Sequence, residues 1–323
     1  MARILITGGS GFIGTNLVQY YLDRGDDVMN VDIRPPGQTV HSAVWRNVNL
    51  LDDEALAQAV RDHAPEVVFH FAARTDLEGK TPTDYLANTD GVRNLIRALQ
   101  DQPSLAFVVF ASSMLVCRIG YQPRGEDDYC PSTAYGRSKV EGEHIVRQAA
   151  RGFRWAIVRP TSIWGPWFGT PYRDFFTAVR RGFYLHPRHR SIRRSYGFVL
   201  NSVAQLAALV DSADRFAGRT MYLADYEPVE LKSWADMIQR AFGARTVPEV
   251  PLALLRVAAR TGDLLQRAGW RLPPMTSFRL NNLLTDMVHD TTPLQDALPQ
   301  LPYTMQEGVD ITVRWMRQHP IPV

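Results

Sequence analysis

Arg3 to Asp32 restricts what this chain can fold into more than any other stretch: RILITGGSGFIGTNLVQYYLDRGDDVMNVD. It sets out a β-rich run, a glycine turn, a helix-period stretch, a second β-rich run and a closing acid. Gly8, Gly11 and Gly14 serve a turn so tight that a Cβ would hold the backbone away from a pyrophosphate, and Gly14 lets the helix lie close to the strand. The helix N-terminus then offers free N–H groups and the positive end of its dipole to phosphate oxygens. Asp32 closes the second strand 18 residues after Gly14, near the spacing at which a carboxylate accepts hydrogen bonds from an adenosine ribose. A bare glycine motif reads as a plain turn; in this context it reads as a dinucleotide site. Asp32 repels a 2′-phosphate and favours NAD, while Arg34 offsets part of that repulsion and leaves NADP open.

The rhythm continues beyond this unit. RILIT (3–7), DVMNVD (27–32), EVVFHFA (66–72), LAFVVFAS (105–112) and RWAIVRP (154–160) are predicted strands, separated by helical periodicity at 12–24, 52–63, 83–101 and 134–151. Alternation of this kind specifies α/β architecture, a doubly wound parallel sheet of the Rossmann type covered on both faces. After WGPWFGTP (164–171) the rhythm stops, and helical patterns recur at 201–212, 231–242, 251–268 and 305–318. The division expected is a dinucleotide-binding domain over 1–165 and a smaller, mostly helical substrate lobe over 166–323, with interleaving of elements allowed.

Composition sets limits. A chain of 323 residues with 45% hydrophobic and 21% charged residues has the balance of an ordered globular protein. Its net charge of +3 makes no field that argues for nucleic acid. Cys117 and Cys130 are the two cysteines, too few for a disulfide framework or a four-ligand zinc site. No metal is expected, because no carboxylate or cysteine accompanies His186 and His189 at ligand spacing. Apolar runs never reach 18 residues, so no membrane span or membrane partner is expected, and the protein is read as cytoplasmic.

STAYGRSKVEGE (132–143) puts Tyr135 and Lys139 at i and i+4 of a helix, on one face. An ammonium near a phenol favours phenolate, which would lower the tyrosine pKa and make Tyr135 a usable general base. Taken alone, the pair equally describes a surface tyrosine beside a solvated lysine. Ser112 and Ser113 end the fourth marked strand, however, at the carboxyl edge where open α/β sheets bind ligands. A serine there can hold a substrate oxygen while Tyr135 moves its proton and a nicotinamide takes the hydride.

At this point the chain resembles the extended short-chain dehydrogenases/reductases. Gly8-Gly9-Ser10-Gly11-Phe12-Ile13-Gly14 is similar to that family's glycine motif. FHFAA, NTDGVRNLI, FASSMLV, YGRSKVEGE, VRPTSIWGP, RSYGFVLNSVA and EGVDITVRW follow in its order over nearly the whole chain. The branch most resembled is the NAD-dependent epimerase/dehydratase group acting on nucleotide-sugars. The resemblance implies a Ser113, Tyr135, Lys139 catalytic triad, with Lys139 also holding the nicotinamide ribose. It implies cofactor contacts by Gly8, Gly11, Phe12, Ile13, Gly14 and Asp32. Further along the cofactor it implies Asn49, Leu50, Ala72, Ala73 and Pro160, with Asn88 near the proton relay and Tyr135 and Lys139 against the nicotinamide end. Ser113, Ser162, Arg194 and Arg279 are the implied substrate contacts. A homodimer through the helices near 83–101 and 134–151 is implied as well.

Departures from the family pattern carry information. Dehydratases of this group have an Asp-Glu pair just after the catalytic hydroxyl residue; here Met114 and Leu115 stand there, so elimination lacks its proton-transfer groups. Cys117-Arg118 replaces the usual Tyr-Gly. Asn49 replaces an acid of the adenine loop, and Ser162 replaces an Asn near the substrate. LHPRHRSIRRSYG (185–197) is read either as a solvated basic loop or, at Arg194, as a grip on a substrate diphosphate. Trp164 and Trp167 could line a pocket or belong to the core. The function expected is an NAD-dependent nucleotide-sugar epimerase working through a transient keto-sugar. The alternatives are a reductase or dehydrogenase with one net hydride transfer, or a dinucleotide-binding regulator without turnover.

Overall fold

The computed structural model describes residues 1–270 and 275–320. In chain order the first elements are β1 (Arg3–Thr7), α1 (Phe12–Asp23), β2 (Asp27–Val31), β3 (Trp45–Arg46), α2 (Asp53–His63) and β4 (Val67–His70). Then come α3 (Asp90–Leu99), β5 (Phe107–Ala111), α4 (Ala134–Ala149), β6 (Arg154–Pro160) and β7 (Ser162–Trp164). The middle of the chain forms α5 (Tyr172–Arg180), β8 (His186–Pro187), β9 (Arg193–Arg194), β10 (Tyr196–Phe198), α6 (Val199–Asp211), α7 (Ala213–Phe216) and β11 (Thr220–Leu223). The rest supplies β12 (Val229–Glu230), α8 (Leu231–Phe242), β13 (Glu249–Val250), α9 (Leu252–Arg267), α10 (Ser277–Leu284), α11 (Thr292–Ala297) and α12 (Met305–Gln318).

The principal sheet has seven strands in the order β11-β6-β5-β4-β1-β2-β3. The order reverses between β1 and β4, so a crevice opens at their carboxyl ends, where doubly wound sheets bind ligands. All the central strands are buried on both faces. Ile4, Ile6, Phe69, Val109 and Val158 join one core layer; Leu5, Val68, Val108, Phe110 and Ile157 join the other. Alternate residues of each strand thus feed opposite cores.

Packing divides the chain into two compact units. The first comprises Met1–Phe168, Gly197–Tyr226 and Asp290–Tyr303. The second comprises the described residues of Gly169–Tyr196 and Glu227–His289, with the chain from Thr304. A single boundary at 165/166 is therefore replaced by interleaved segments. β11 is the reason: it pairs in parallel with β6, so the segment leading to and from it must belong with the sheet. The second unit has its own small core, in which Trp234 is stacked on Phe175 at 4.9 Å and packed on Tyr196 at 4.7 Å.

One predicted helix is broken. In place of 83–101 there is a 3-10 turn, Pro82–Asn88, and then α3. Asp84 closes a capping box on Thr81, and the Tyr85 hydroxyl donates to the Asp76 carbonyl at 2.8 Å. These side-chain bonds hold residues 76–88 in a compact turn that competes with helix propagation.

Candidate active site

The glycine turn is built as a cradle. Gly8 has φ +75, and a Cβ there would lie 2.5 Å from the Ala72 amide nitrogen. A Cβ on Gly14 would lie 2.1 Å from the Gly8 carbonyl oxygen. Both positions need glycine, the first for its left-handed backbone and both for close approach. α1 starts at Phe12 with Gly11 as N-cap and no side-chain cap, so its first amides carry no side-chain cap bond. Asp32, just beyond β2, accepts from the Ser10 amide at 3.1 Å and the Arg34 amide at 2.9 Å. Backbone amides thus orient the carboxylate beside the turn, and cradle, helix end and acid together fit a dinucleotide.

Along the strand ends, Leu50 is buried and its carbonyl accepts from Asn94 at 2.9 Å, while Asn49 accepts from the Leu51 amide at 3.0 Å. Ala72 follows β4 and its amide donates to the Thr7 hydroxyl; Ala73 is the next residue. Asn88 is 1% exposed. It accepts from the Arg74 amide at 2.9 Å and donates to the Arg74 carbonyl at 3.0 Å and the Ser138 hydroxyl at 2.9 Å. Ser138 in turn donates to the Tyr135 carbonyl at 2.7 Å. Asn88 therefore ties the loop after β4 to the first turn of α4. Pro160 ends β6, and Ser162 is buried on β7.

Ser113, Tyr135 and Lys139 come together in the first unit. Ser113 is the N-cap of a 3-10 turn, Met114–Val116, and accepts from the Leu115 amide at 3.1 Å. Thr133 caps α4 by accepting from the Gly136 amide at 2.9 Å. A Cβ on Gly136 would stand 2.3 Å from the Leu115 carbonyl oxygen, so this glycine lets α4 approach the Ser113 turn. The Ser113 side chain stands near enough to the Tyr135 phenol to favour its ionised form. One turn on, the Lys139 ammonium donates to the Ala111 carbonyl at 2.9 Å.

The electrostatics correct one expectation. Burial pushes the Tyr135 phenol up to about 12, and the nearby Ser113 side chain opposes that rise. Desolvation outweighs any lowering by a neighbouring ammonium, so the phenol lies above its ordinary value and not below it as the helical spacing suggested. Burial also brings Lys139 down to about 8, against the Glu143 carboxylate, which raises it.

Glu143 is the residue that sequence reasoning passed over. It lies one further turn along the buried face of α4, at i+8 from Tyr135. Arg159 on β6 grips both of its carboxylate oxygens at 2.8 Å. The Ser112 hydroxyl donates to it at 2.5 Å and the Tyr129 hydroxyl at 2.8 Å. The signal was present as an acid four residues after Lys139, but the partner sits on a distant strand. A cavity of about 20 Å³ lies between this group and the lysine, bordered by His70, Asn88, Ser112, Lys139 and Glu143.

Arg194 and Arg279 belong to the second unit. Arg194 is buried, and its guanidinium donates to the Asn282 and Leu283 carbonyls at the end of α10. It thereby satisfies a helix C-terminus. Arg279 is exposed on α10. Both ring nitrogens of His186 are engaged, by the Tyr184 hydroxyl at 2.9 Å and the Arg190 carbonyl at 3.0 Å. Trp164 is fully buried core.

A doubly wound sheet with a phosphate cradle and a Ser-Tyr-Lys cluster at its carboxyl edge defines a nicotinamide-dependent enzyme acting at a carbon bearing oxygen. Residues 4–217 match the NAD dependent epimerase/dehydratase family, and the chain belongs to that family. NAD is its cofactor, and it is an enzyme of the oxidoreductase/epimerase type. Among its relatives, a 3 beta-hydroxysteroid dehydrogenase/Delta 5-->4-isomerase from Mycobacterium tuberculosis is 30% identical over 266 residues, 76% of this chain and 70% of that protein. A UDP-N-acetyl-alpha-D-glucosaminuronate decarboxylase from Bacillus cytotoxicus is 32% identical over 185 residues, 51% of this chain and 55% of that one. The fold is shared with UDP-glucuronic acid 4-epimerase from Bacillus cereus in complex with NAD, at TM-score 0.73 and 17% identity, covering 98% of this chain and 99% of that one.

Proposed function

We propose that this enzyme oxidises a secondary ring hydroxyl of a nucleotide-sugar to a transient ketone and restores it with inverted configuration. Bound NAD supplies the hydride acceptor and donor. Ser113 holds the substrate oxygen by hydrogen bond; the Tyr135 phenol exchanges a proton with it as general acid or base. Lys139, protonated below about pH 8, holds the nicotinamide ribose and lends positive charge beside the reacting oxygen. In the epimerase cycle Ser113 and Tyr135 receive either face of the ketone in turn, so the proton taken up is the proton given back.

The observation that carries this reading is the buried grouping of Ser113, Tyr135 and Lys139, with Ser113 near enough to the phenol to favour its ionised form, together with Met114 and Leu115 where elimination would need acids. Hydride and proton transfer are supported; loss of water is not. Arg279 and Ser162 remain the proposed substrate contacts, and Arg194 acts through α10. A second reading has its own support. The 30% identity to a steroid dehydrogenase, together with the apolar Met114-Leu115 pair, fits one net hydride transfer on an apolar alicyclic alcohol. Mass spectrometry of ligand retained by the purified protein separates the two. Retained NAD and turnover without change in nicotinamide absorbance support the epimerase; stoichiometric NADH formation with a sterol-type alcohol, and none with nucleotide-sugars, overturns it.

A homodimer through α3 and α4 and a cytoplasmic location belong to the same reading. The exposed surface there is polar, with Arg93 paired to Asp90 at 2.7 Å and to Glu141 at 2.9 Å, so the contact proposed is one of charged side chains, measurable by sedimentation.

A further inference from the structure

α9 has three faces. Leu252, Leu255, Ala259 and Gly262 turn inward, where Leu255 and Ala259 form a separate apolar cluster with Leu280 of α10. At 3.6 residues per turn, Leu254, Val257, Leu264 and Leu265 form a second stripe, roughly 150° away. That stripe is open: Leu254 is 60%, Val257 61% and Leu264 63% exposed. Arg256, Arg260 and Arg267 make the third face, all exposed. The one acid of α9, Asp263, accepts from the Ser277 amide at the start of α10 and acts on Arg267 one turn away, which leaves the basic face with an excess of positive charge at Arg256 and Arg260.

Neighbouring segments extend both properties. Trp270, just beyond α9, is 52% exposed, and Phe278 on α10 is 73% exposed. At the other end β13 leads directly into α9 and pairs with β8, and the Arg188 amide donates to the Val250 carbonyl at 2.8 Å. This pairing brings the basic run of the sequence to the start of α9. Arg188 and Arg190 are exposed there, with Phe183 74% exposed just before β8. Between Arg181 and Arg194 the chain has no Asp or Glu.

We propose that this face of α9 lies on the surface of an anionic phospholipid bilayer, its leucine stripe at the headgroup boundary and its arginines on lipid phosphates. An exposed apolar stripe flanked by arginine, with tryptophan and phenylalanine at its margins, has the composition of an interfacial helix. Charge selects the occupant. Two copies meeting through this face would bring Arg256, Arg260 and Arg267 against themselves, whereas an anionic surface neutralises them. The helix lies on the membrane and does not cross it: among the described residues no helix is long and apolar enough to span one. The inference holds for either class of substrate above.

The test is flotation of the full chain with phosphatidylcholine vesicles, with and without phosphatidylglycerol. The wild type floats with the anionic vesicles and stays in solution with the neutral ones. Leu254→Glu with Leu264→Glu, both at exposed positions and so compatible with the fold, lowers the partition coefficient at least roughly tenfold. Arg256→Gln and Arg260→Gln each weaken it about fivefold on anionic vesicles. A thermal melt unchanged from wild type certifies that each variant is folded. Equal partition onto neutral and anionic vesicles, or none onto either, overturns the proposal. So does a wild-type dimer in sedimentation that Leu254→Glu dissociates, since that would make a second copy the occupant.

Discussion

Glu143 gives the cluster its charge balance. It is 2% exposed, paired with Arg159, and close enough to Lys139 to raise that ammonium's pKa against the burial that lowers it. Because the lysine sits at about 8, its protonated fraction falls just above neutrality, and the carboxylate extends the working range upward. Glu143→Gln is expected to move the basic limb of the pH–rate profile to lower pH, by on the order of one unit. A merely structural Glu143 would lower the melting temperature and leave the limb where it was. Glu143→Asp, which keeps the charge, should restore most of the shift. Arg159 left opposite a neutral amide costs about 3–5 kcal/mol, so melting is followed for each variant.

Among the elements, β1, the turn and α1 form the cradle proposed to position the cofactor. Gly14→Ala brings a methyl against two backbone segments, the Gly8 carbonyl at 2.1 Å and the Gly9 Cα at 2.7 Å. Loss of NAD affinity of at least roughly tenfold is expected in a fluorescence titration, because the cradle must open. Gly25→Ala is the comparison: its φ is +76 with nothing within 4 Å, so stability drops by about 1 kcal/mol while affinity holds. Asp32→Asn should shift the NADP-to-NAD ratio of kcat/KM toward NADP on the order of tenfold, since the repulsive charge is removed and Arg34 remains. If the ratio stays put, Asp32 does not face the ribose. Much of this layer was legible beforehand, because β1, β2, β6 and the helices at α1, α2, α4, α8, α9 and α12 follow from period and turn chemistry alone. The Tyr135 and Lys139 face of α4 and the strand end carrying Ser112 and Ser113 were legible for the same reason, whereas the choice of Ser113 came from the family resemblance. What escaped depends on long-range partners. β11 is four residues whose strand character comes from pairing with β6. The break before α3 comes from bonds to the loop after β4, and Arg194's commitment to α10 spans 88 residues of sequence.

The molecule as a whole carries a buried histidine under the same crevice. His70, at the end of β4, shares a hydrogen bond with the Thr7 hydroxyl at 2.8 Å. Burial, with Lys139 adding to it, pushes the imidazole down to about 3. Unfolded, the same group titrates near 6.5, so between about pH 6.5 and 3 the unfolded chain binds the extra proton and the native state does not. Its stabilising contribution is complete above about pH 6.5 and is lost as pH falls through that window. Denaturant titrations at pH 7 and pH 5 should show His70→Gln losing less stability than wild type on acidification, by up to about 1.4 kcal/mol per pH unit. Identical pH dependence in the two proteins would mean that His70 is protonated in the fold.

The central claim is that the Tyr135 hydroxyl exchanges the substrate's proton inside a preformed Ser113 and Lys139 cluster. Tyr135→Phe removes one oxygen from a buried ring already packed on Tyr85 at 6.0 Å and leaves the glycine cradle untouched. Turnover and NAD affinity measured on the same preparation give the decisive comparison. The account predicts a fall in kcat of roughly 10²–10⁴-fold with NAD affinity unchanged; undiminished turnover with the phenylalanine in place would contradict it.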